Sequence, residues 1–259
     1  MGELLKTQIS VVIPVLNSVS TLAKTIQSVL SQNYPCIELI LIDGGSTDGT
    51  IDIINNFSLN IAYWETGQDS GISDAFNRGI KHATGELIAI LNSDDSWTEG
   101  ALNQLSNAYA INKDADIYFG QIRYIDPITN QTYIKCPDLS RMKQRMYLFH
   151  PAVFVKKSAY DQIGLYSDEY KLAMDAEWLH RAIAGGLKFH AINSVLANMS
   201  LGGRSDQKFV SALNEYRKSL IKHQISGLWA ANYYFAKYVF LKMTMQISWI
   251  RQLKQKILK

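Results

Sequence analysis

The chain has 259 residues, 47% of them hydrophobic and 19% charged, which is enough apolar side chain for a sizeable core and excludes disorder as a general description. Its net charge of +3 is unevenly spread: no acidic residue follows Glu215 while nine basic ones do, leaving 17 basic against 23 acidic residues upstream, so a +9 tail follows a −6 body and points to an anionic partner surface. Cys36 and Cys136 are far apart in sequence and lack a partner motif, so neither a disulfide framework nor a zinc site is suggested.

The first strand is predicted at residues 9–15. Its apolar run is short and broken by Pro14, so it does not read as a secretory signal, and the cytoplasm is the expected location. Leu22, Ile26, Val29 and Leu30 recur at helical spacing. A second strand over 38–42 delivers Asp43, a helix follows Thr47-Asp48, a third strand falls at 61–64, and Ile72, Phe76, Ile80 and Ala83 mark the apolar face of the next helix. The unbroken apolar run 87–91 reads as a central strand covered on both faces. This βαβαβαβ order predicts an α/β fold with a parallel sheet and right-handed crossovers. Beyond residue 115 the pattern loosens into strand-like pieces at 117–119, 121–125 and 131–134, before a helix at 174–184. That half is expected to shape the pocket of a second substrate. No internal repeat or low-complexity linker interrupts the chain.

Ligands of open α/β sheets collect beyond the carboxyl ends of the strands. Three such ends carry distinctive polar groups: Pro14-Val15-Leu16-Asn17, Asp43-Gly44-Gly45-Ser46-Thr47-Asp48-Gly49, and Asn92-Ser93-Asp94-Asp95. Asp94 and Asp95 are hard oxygen donors suited to Mg²⁺ or Mn²⁺ and, through the ion, to a diphosphate; on extended backbone they point apart and so have different tasks. The same four residues taken alone would make a polar turn capping a helix. Asp43 beside two glycines either holds a base or ribose hydroxyl or belongs to a glycine-rich turn that starts the next helix. Between Gly67 and Gly79, Asp69 and Asp74 are ligand groups or helix caps, Asn77 lies at the same helix start, and Arg78 either neutralises phosphate or faces solvent.

These segments, Ser10-Val11-Val12-Ile13-Pro14-Val15-Leu16-Asn17, the Asp43 loop, Asp69-Ser70-Gly71 to Asn77-Arg78-Gly79, Leu91-Asn92-Ser93-Asp94-Asp95, and Met174-Asp175-Ala176-Glu177-Trp178-Leu179, resemble the family-2 glycosyltransferases of the GT-A fold. The likeness covers roughly residues 8–205 and is nearest the bacterial branch that builds surface polysaccharides. It implies a nucleotide-sugar donor, a divalent metal and inversion at the anomeric carbon. It matches Pro14, Asn17 and Asp43 to the nucleotide pocket, with Asp69, Asn77 and Arg78 beside them, Asp94 to a ribose or metal contact, and Asp95 to the metal ligand. Asp175 matches the catalytic base, although the family often has Glu immediately before it where this chain has Met174. Glu177 is read as a solvated or structural neighbour. His150, within Phe149-His150-Pro151-Ala152-Val153-Phe154, corresponds to the acceptor side, or is a core histidine. Arg204, in Gly202-Gly203-Arg204-Ser205, either closes over phosphate on a mobile loop or has no such role. Chemically, a metal at Asp95 neutralises charge building on a leaving diphosphate while Asp175 takes a proton from the acceptor hydroxyl on the opposite face.

The expected architecture is a single Rossmann-like, mostly parallel sheet flanked by helices. Residues 1–115 form a donor-binding half, 116–225 an acceptor-binding half, and 226–259 a basic amphipathic helical tail. In that tail Val239, Met243, Ile250, Leu253 and Ile257 share one face, while Lys237, Lys242 and Gln246 argue against a membrane-spanning helix. The tail either docks on the body or binds the anionic inner leaflet as a peripheral anchor, bringing the site to a lipid-linked glycan acceptor. The expected activity is hexosyl or N-acetylhexosaminyl transfer. The alternatives are a catalytically degenerate nucleotide-sugar-binding module and a sugar nucleotidyltransferase, whose glycine-rich phosphate loop is missing because residues 14–20 hold no glycine. A nucleic-acid partner would not account for carboxylates at strand ends.

Overall fold

The computed structural model describes residues 7–126, 131–200 and 208–245. Strands and helices alternate through the first half as β1 (Ile9–Val15), α1 (Leu22–Leu30), β2 (Ile37–Asp43), α2 (Thr50–Asn56), β3 (Tyr63–Thr66), α3 (Ile72–His82) and β4 (Leu87–Ile90). The second half contains β5 (Ser96–Trp97), α4 (Ala101–Ile111), β6 (Ile117–Ile125), β7 (Thr132–Lys135), β8 (Val153–Lys156), α5 (Lys157–Ile163), α6 (Met174–Ala184), β9 (Phe189–Ser200), α7 (Phe209–Lys222) and α8 (Leu228–Met245).

One nine-stranded sheet runs in the order β3-β2-β1-β4-β8-β6-β9-β5, with β7 paired to β6. Its β3-β2-β1-β4 portion is parallel, with Val11 beside both Leu39 and Ala89. There β8 joins β4 antiparallel, β6 joins β8 antiparallel, and β9 lies parallel to β6. The strand-like pieces at 117–119 and 121–125 are one strand, β6, whose register against β9 shifts around Gly120 and Gln121. The boundary expected at residue 115 therefore falls inside a continuous sheet.

Alternation along the central strands explains both layers of core. Val11, Ile13, Leu39, Leu41, Leu87 and Ala89 face one cluster with Leu22, Ile26 and Val29 of α1. Val12, Ile40, Ile42, Ile88 and Ile90 face the other, with Phe76 and Ile80 of α3 and Trp178 of α6. A Cβ at Gly79 would lie 2.2 Å from Val12 Cγ1, so α3 rests directly on β1 and holds the loop before it against the strand ends.

The described part of the tail is apolar on two sides. Ala231 joins a small cluster with Ala173, Ala176, Tyr216 and Leu220, and Tyr238 is also buried, whereas Trp229, Tyr233, Phe240 and Met243 are exposed. Ile250, Leu253 and Ile257 lie outside the described residues. No helix among the described residues is long and apolar enough to cross a membrane.

Candidate active site

The strand ends meet as expected. Asn17, just beyond β1, adopts a positive φ of 49°; its backbone N–H donates to Ser46 Oγ at 2.7 Å and its side-chain Oδ1 accepts from the Thr47 N–H at 2.9 Å, locking the β1 and β2 loops together. Asp69 follows β3 and lies against Gly44, where a Cβ would come within 2.6 Å of its Oδ2; its Oδ1 accepts from the Gly71 N–H at 3.0 Å. At the end of β4, buried Thr25 of α1 donates to the carbonyls of Ser93 and Asp95, and Ser18 and Ser93 share a hydrogen bond of 2.7 Å. The Asp94-Asp95 turn is thereby fixed from two sides. Asp94 is exposed, while Asp95 is only 3% exposed. Burial, reinforced by the charge of Asp94, pushes the Asp95 carboxyl well above the usual carboxylate range.

These oxygens fit a hard divalent cation. Among the described residues, buried Asp95 has no counter-cation, Asp94 stands beside it, and Asn92 Oδ1 is buried with no hydrogen-bond partner. Among the described residues no three His, Cys, Asp or Glu side chains gather as a metal-binding group, so an ion here would draw its further ligands from Asn92, water and substrate phosphates.

Across the cavity, Asp175 stands at the start of α6 with Oδ1 accepting the Ala176 N–H at 2.7 Å. Burial raises its carboxyl, and the nearby His150 opposes that shift. His150 stacks on Phe76 with ring centroids 5.2 Å apart, its Nε2 is buried without a partner among the described residues, and burial lowers its basicity. Helix α6 is held from behind. Arg181 donates to both Glu177 oxygens and to the carbonyls of Ile163 and Leu165, while His223 of the segment after α7 lies 2.9 Å from Glu177 Oε1. Glu177 is thus structural and buried, not solvated.

A cavity of about 770 Å³ joins these groups; Pro14, Asn17, Asp69, Asp94, Asp95, His150 and Asp175 all line it. Other expected residues do not. Asp43 is fully buried and accepts from Gly45, Ser46 and Thr66, so its carboxylate organises the loop and is not presented to a ligand. Asn77 staples α3 to Tyr166 through both backbone groups of that residue, and Arg78 pairs with Glu65 at 2.7 Å. Neither lines the cavity, because each side chain is satisfied by a partner outside it. Arg204 lies outside the described residues. Lys135, Arg145 and Tyr216 line the cavity but were not anticipated; the basic-aromatic composition of 141–147 was the available signal.

The model of "Glycosyl transferase family 2" matches residues 10–162. This chain belongs to that family. A relative from Mycobacterium bovis, a "PGL/p-HBAD biosynthesis glycosyltransferase", is 30% identical over 214 residues, covering 79% of this chain and 83% of the relative. The protein is therefore a glycosyltransferase. Among solved structures it shares its fold with S. aureus TarS 1-349 in complex with UDP-GlcNAc (TM-score 0.67, 15% identity, 93% of this chain and 73% of that one). It likewise matches the mannosyltransferase PcManGT from Pyrobaculum calidifontis in complex with GDP-Man and Mn²⁺ (TM-score 0.69, 16% identity, 90% of this chain and 70% of that one). The chain spans 43% of the longer TarS chain of known structure. These neighbours show a GT-A-like fold.

Proposed function

We propose that this glycosyltransferase moves a sugar, with inversion, from a nucleoside-diphosphate donor to a hydroxyl of a growing, lipid-linked surface glycan at the inner face of the cell membrane. The observation that carries the reading is a cavity lined both by Asn92, Asp94 and Asp95 and by the desolvated Asp175. Relatives support its parts: TarS 1-349 was solved with UDP-GlcNAc, PcManGT with GDP-Man and Mn²⁺, and the mycobacterial relative is named for PGL/p-HBAD biosynthesis.

Asn92, Asp94 and Asp95 would hold Mn²⁺ or Mg²⁺, and when bound such an ion supplies positive charge against the leaving diphosphate. Pro14, Asn17 and Asp69 orient the nucleotide along the strand ends. Asp175 accepts the proton of the acceptor hydroxyl as its oxygen bonds to the anomeric carbon and the bond from that carbon to the diphosphate oxygen breaks. Attack from the face opposite the leaving group inverts the centre. His150 and Phe76 wall the base from bulk water.

Calorimetric titration of UDP, GDP, dTDP and CMP with and without Mn²⁺, on the wild type and Asp95→Ala, tests the donor site. One nucleotide should bind in a Mn²⁺-dependent manner and bind more weakly to the variant. Absence of binding by all four would sink the reading.

A further inference from the structure

Helix α6 begins without a cap of its own. Ala173, the residue before Met174, has no side-chain oxygen, so the backbone donors of the turn leading to Asp175 need an acceptor from elsewhere. Glu215, in the middle of α7, supplies it: its Oε2 accepts the N–H of Leu172 at 2.8 Å and that of Ala173 at 3.0 Å, across 43 and 42 residues of chain. A carboxylate is favoured at a helix start by the hydrogen bonds and by the macrodipole together. This clip stands at the cavity. Leu172, Ala173 and Asp175 all line it, as do Leu213 and Tyr216, which flank Glu215 in α7. The Ala173 side chain packs with Ala176, Tyr216 and Leu220, so one residue is held against α7 by its methyl group and by its N–H. Arg181 and His223 fix α6 further along, where both meet Glu177.

We propose that Glu215 is a positioning residue of the transfer reaction: by clipping the backbone of Leu172 and Ala173 it fixes where the Asp175 carboxyl stands in the cavity. The inference rests on the reading of Asp175 as the base. A displacement of about 1 Å at a reacting group can cost about a hundredfold in rate, so a clip two residues ahead of the base bears on turnover without touching substrate. Both bonds go to one oxygen. Glu215→Gln therefore keeps the acceptor and loses the charge, Glu215→Asp keeps the charge but is one methylene too short, and Glu215→Ala loses both.

The test follows the Asp175 carboxyl by carbon NMR in the full-length protein labelled at its aspartate carboxyls, the signal being assigned from Asp175→Asn. Among the described residues, the titratable groups that act on Asp175 or feel its charge are His150, Tyr166 and Tyr216, and every Glu215 variant leaves them in place. Glu215→Gln should titrate close to the wild type. In Glu215→Ala and Glu215→Asp the loosened turn admits water, and the midpoint should fall toward the ordinary carboxylate value by about half a pH unit or more. Release of nucleoside diphosphate from the sugar nucleotide whose base binds should fall in kcat by about tenfold to a hundredfold in these two variants and be rescued in Glu215→Gln, with donor KM within about twofold throughout. Equal midpoints in all forms, or a Glu215→Gln as impaired as Glu215→Ala, overturns the assignment. Thermal unfolding checks each variant, and Glu215→Asp against Glu215→Gln decides if Glu215→Ala does not fold. An Asp175→Asn variant with turnover intact removes the base reading, while the midpoints still decide the placement. Loss of turnover in Asp175→Asn beside a fully active Glu215→Ala removes the positioning role alone.

Discussion

Asp95 and Asp175 are both raised by burial, but their surroundings assign them different chemistry. Asp95 has a second carboxylate beside it and in the proposed reaction would hold a cation; Asp175 has an imidazole beside it and would there be the base. Asp175→Asn should lower turnover by about 10²- to 10⁴-fold with nucleotide binding retained, as measured by steady-state kinetics alongside calorimetry. Because the folded carboxyl titrates above its ordinary value, activity should be full where Asp175 is ionised and fall as pH drops through that raised value. The His150 charge lowers this carboxyl, so His150→Ala should move the acid limb of kcat/KM to higher pH; an unmoved limb in both variants would remove Asp175 as the base. The places of Asp94, Asp95 and Asp175 at the cavity were legible in the sequence because each follows a strand end or opens a helix, a local pattern. Those of Asn77 and Arg78 were not, because their partners Tyr166 and Glu65 lie 89 and 13 residues away. Residue type signalled proximity to the site; only the fold shows where each hydrogen bond goes.

Helix α6 carries Asp175 and is fixed from behind by α7. His180 of α6 is fully buried, its Nδ1 lies 2.8 Å from Ser219 Oγ, and burial with the neighbouring His223 lowers its pKa from 6.5 to about 3. A histidine depressed on folding binds fewer protons in the native than in the unfolded state between those values. Stability is therefore full above the ordinary pKa and falls as the pH drops toward the folded one, at up to about 1.4 kcal/mol per pH unit. Urea unfolding at pH 7, 6 and 5 should show this loss in the wild type and a flatter dependence in His180→Asn, which keeps a hydrogen-bonding group toward Ser219. Equal slopes would show that another group governs acid sensitivity. Elements of the first half were readable because central parallel strands are unbroken apolar runs. The two-residue β5 is too short to register, while β8 and β9 pair in a mixed sheet where burial no longer alternates cleanly. Helix α7, with Leu213, Tyr216 and Leu220 at helical spacing, was hidden by the basic composition around it.

At the scale of the molecule, the tail combines attachment and exposure. Ala231 and Tyr238 fasten α8 to the body while Trp229 is 88% exposed and Phe240 65%. If this side meets an anionic bilayer, Trp229→Ala and Phe240→Ala should each weaken co-sedimentation with phosphatidylserine vesicles by about fivefold to tenfold, and added salt should weaken it further. Undiminished sedimentation of the double variant would exclude this face. The alternative between docking and membrane attachment, open in the sequence, depends on which side of one helix is covered, and its nearly uniform apolarity could not decide that.

The direct pairing of β4 with β8 bears on how such enzymes can be recombined. Most residues assigned to the donor precede position 115, which invites exchange of that fragment between homologues. Yet Ala89 lies opposite Phe154 and Leu87 opposite Lys156. A chain cut at that point would leave β4 as a bare apolar edge, open to stacking with other copies. Donor preference in this scaffold is therefore better exchanged loop by loop than by transplanting the first half.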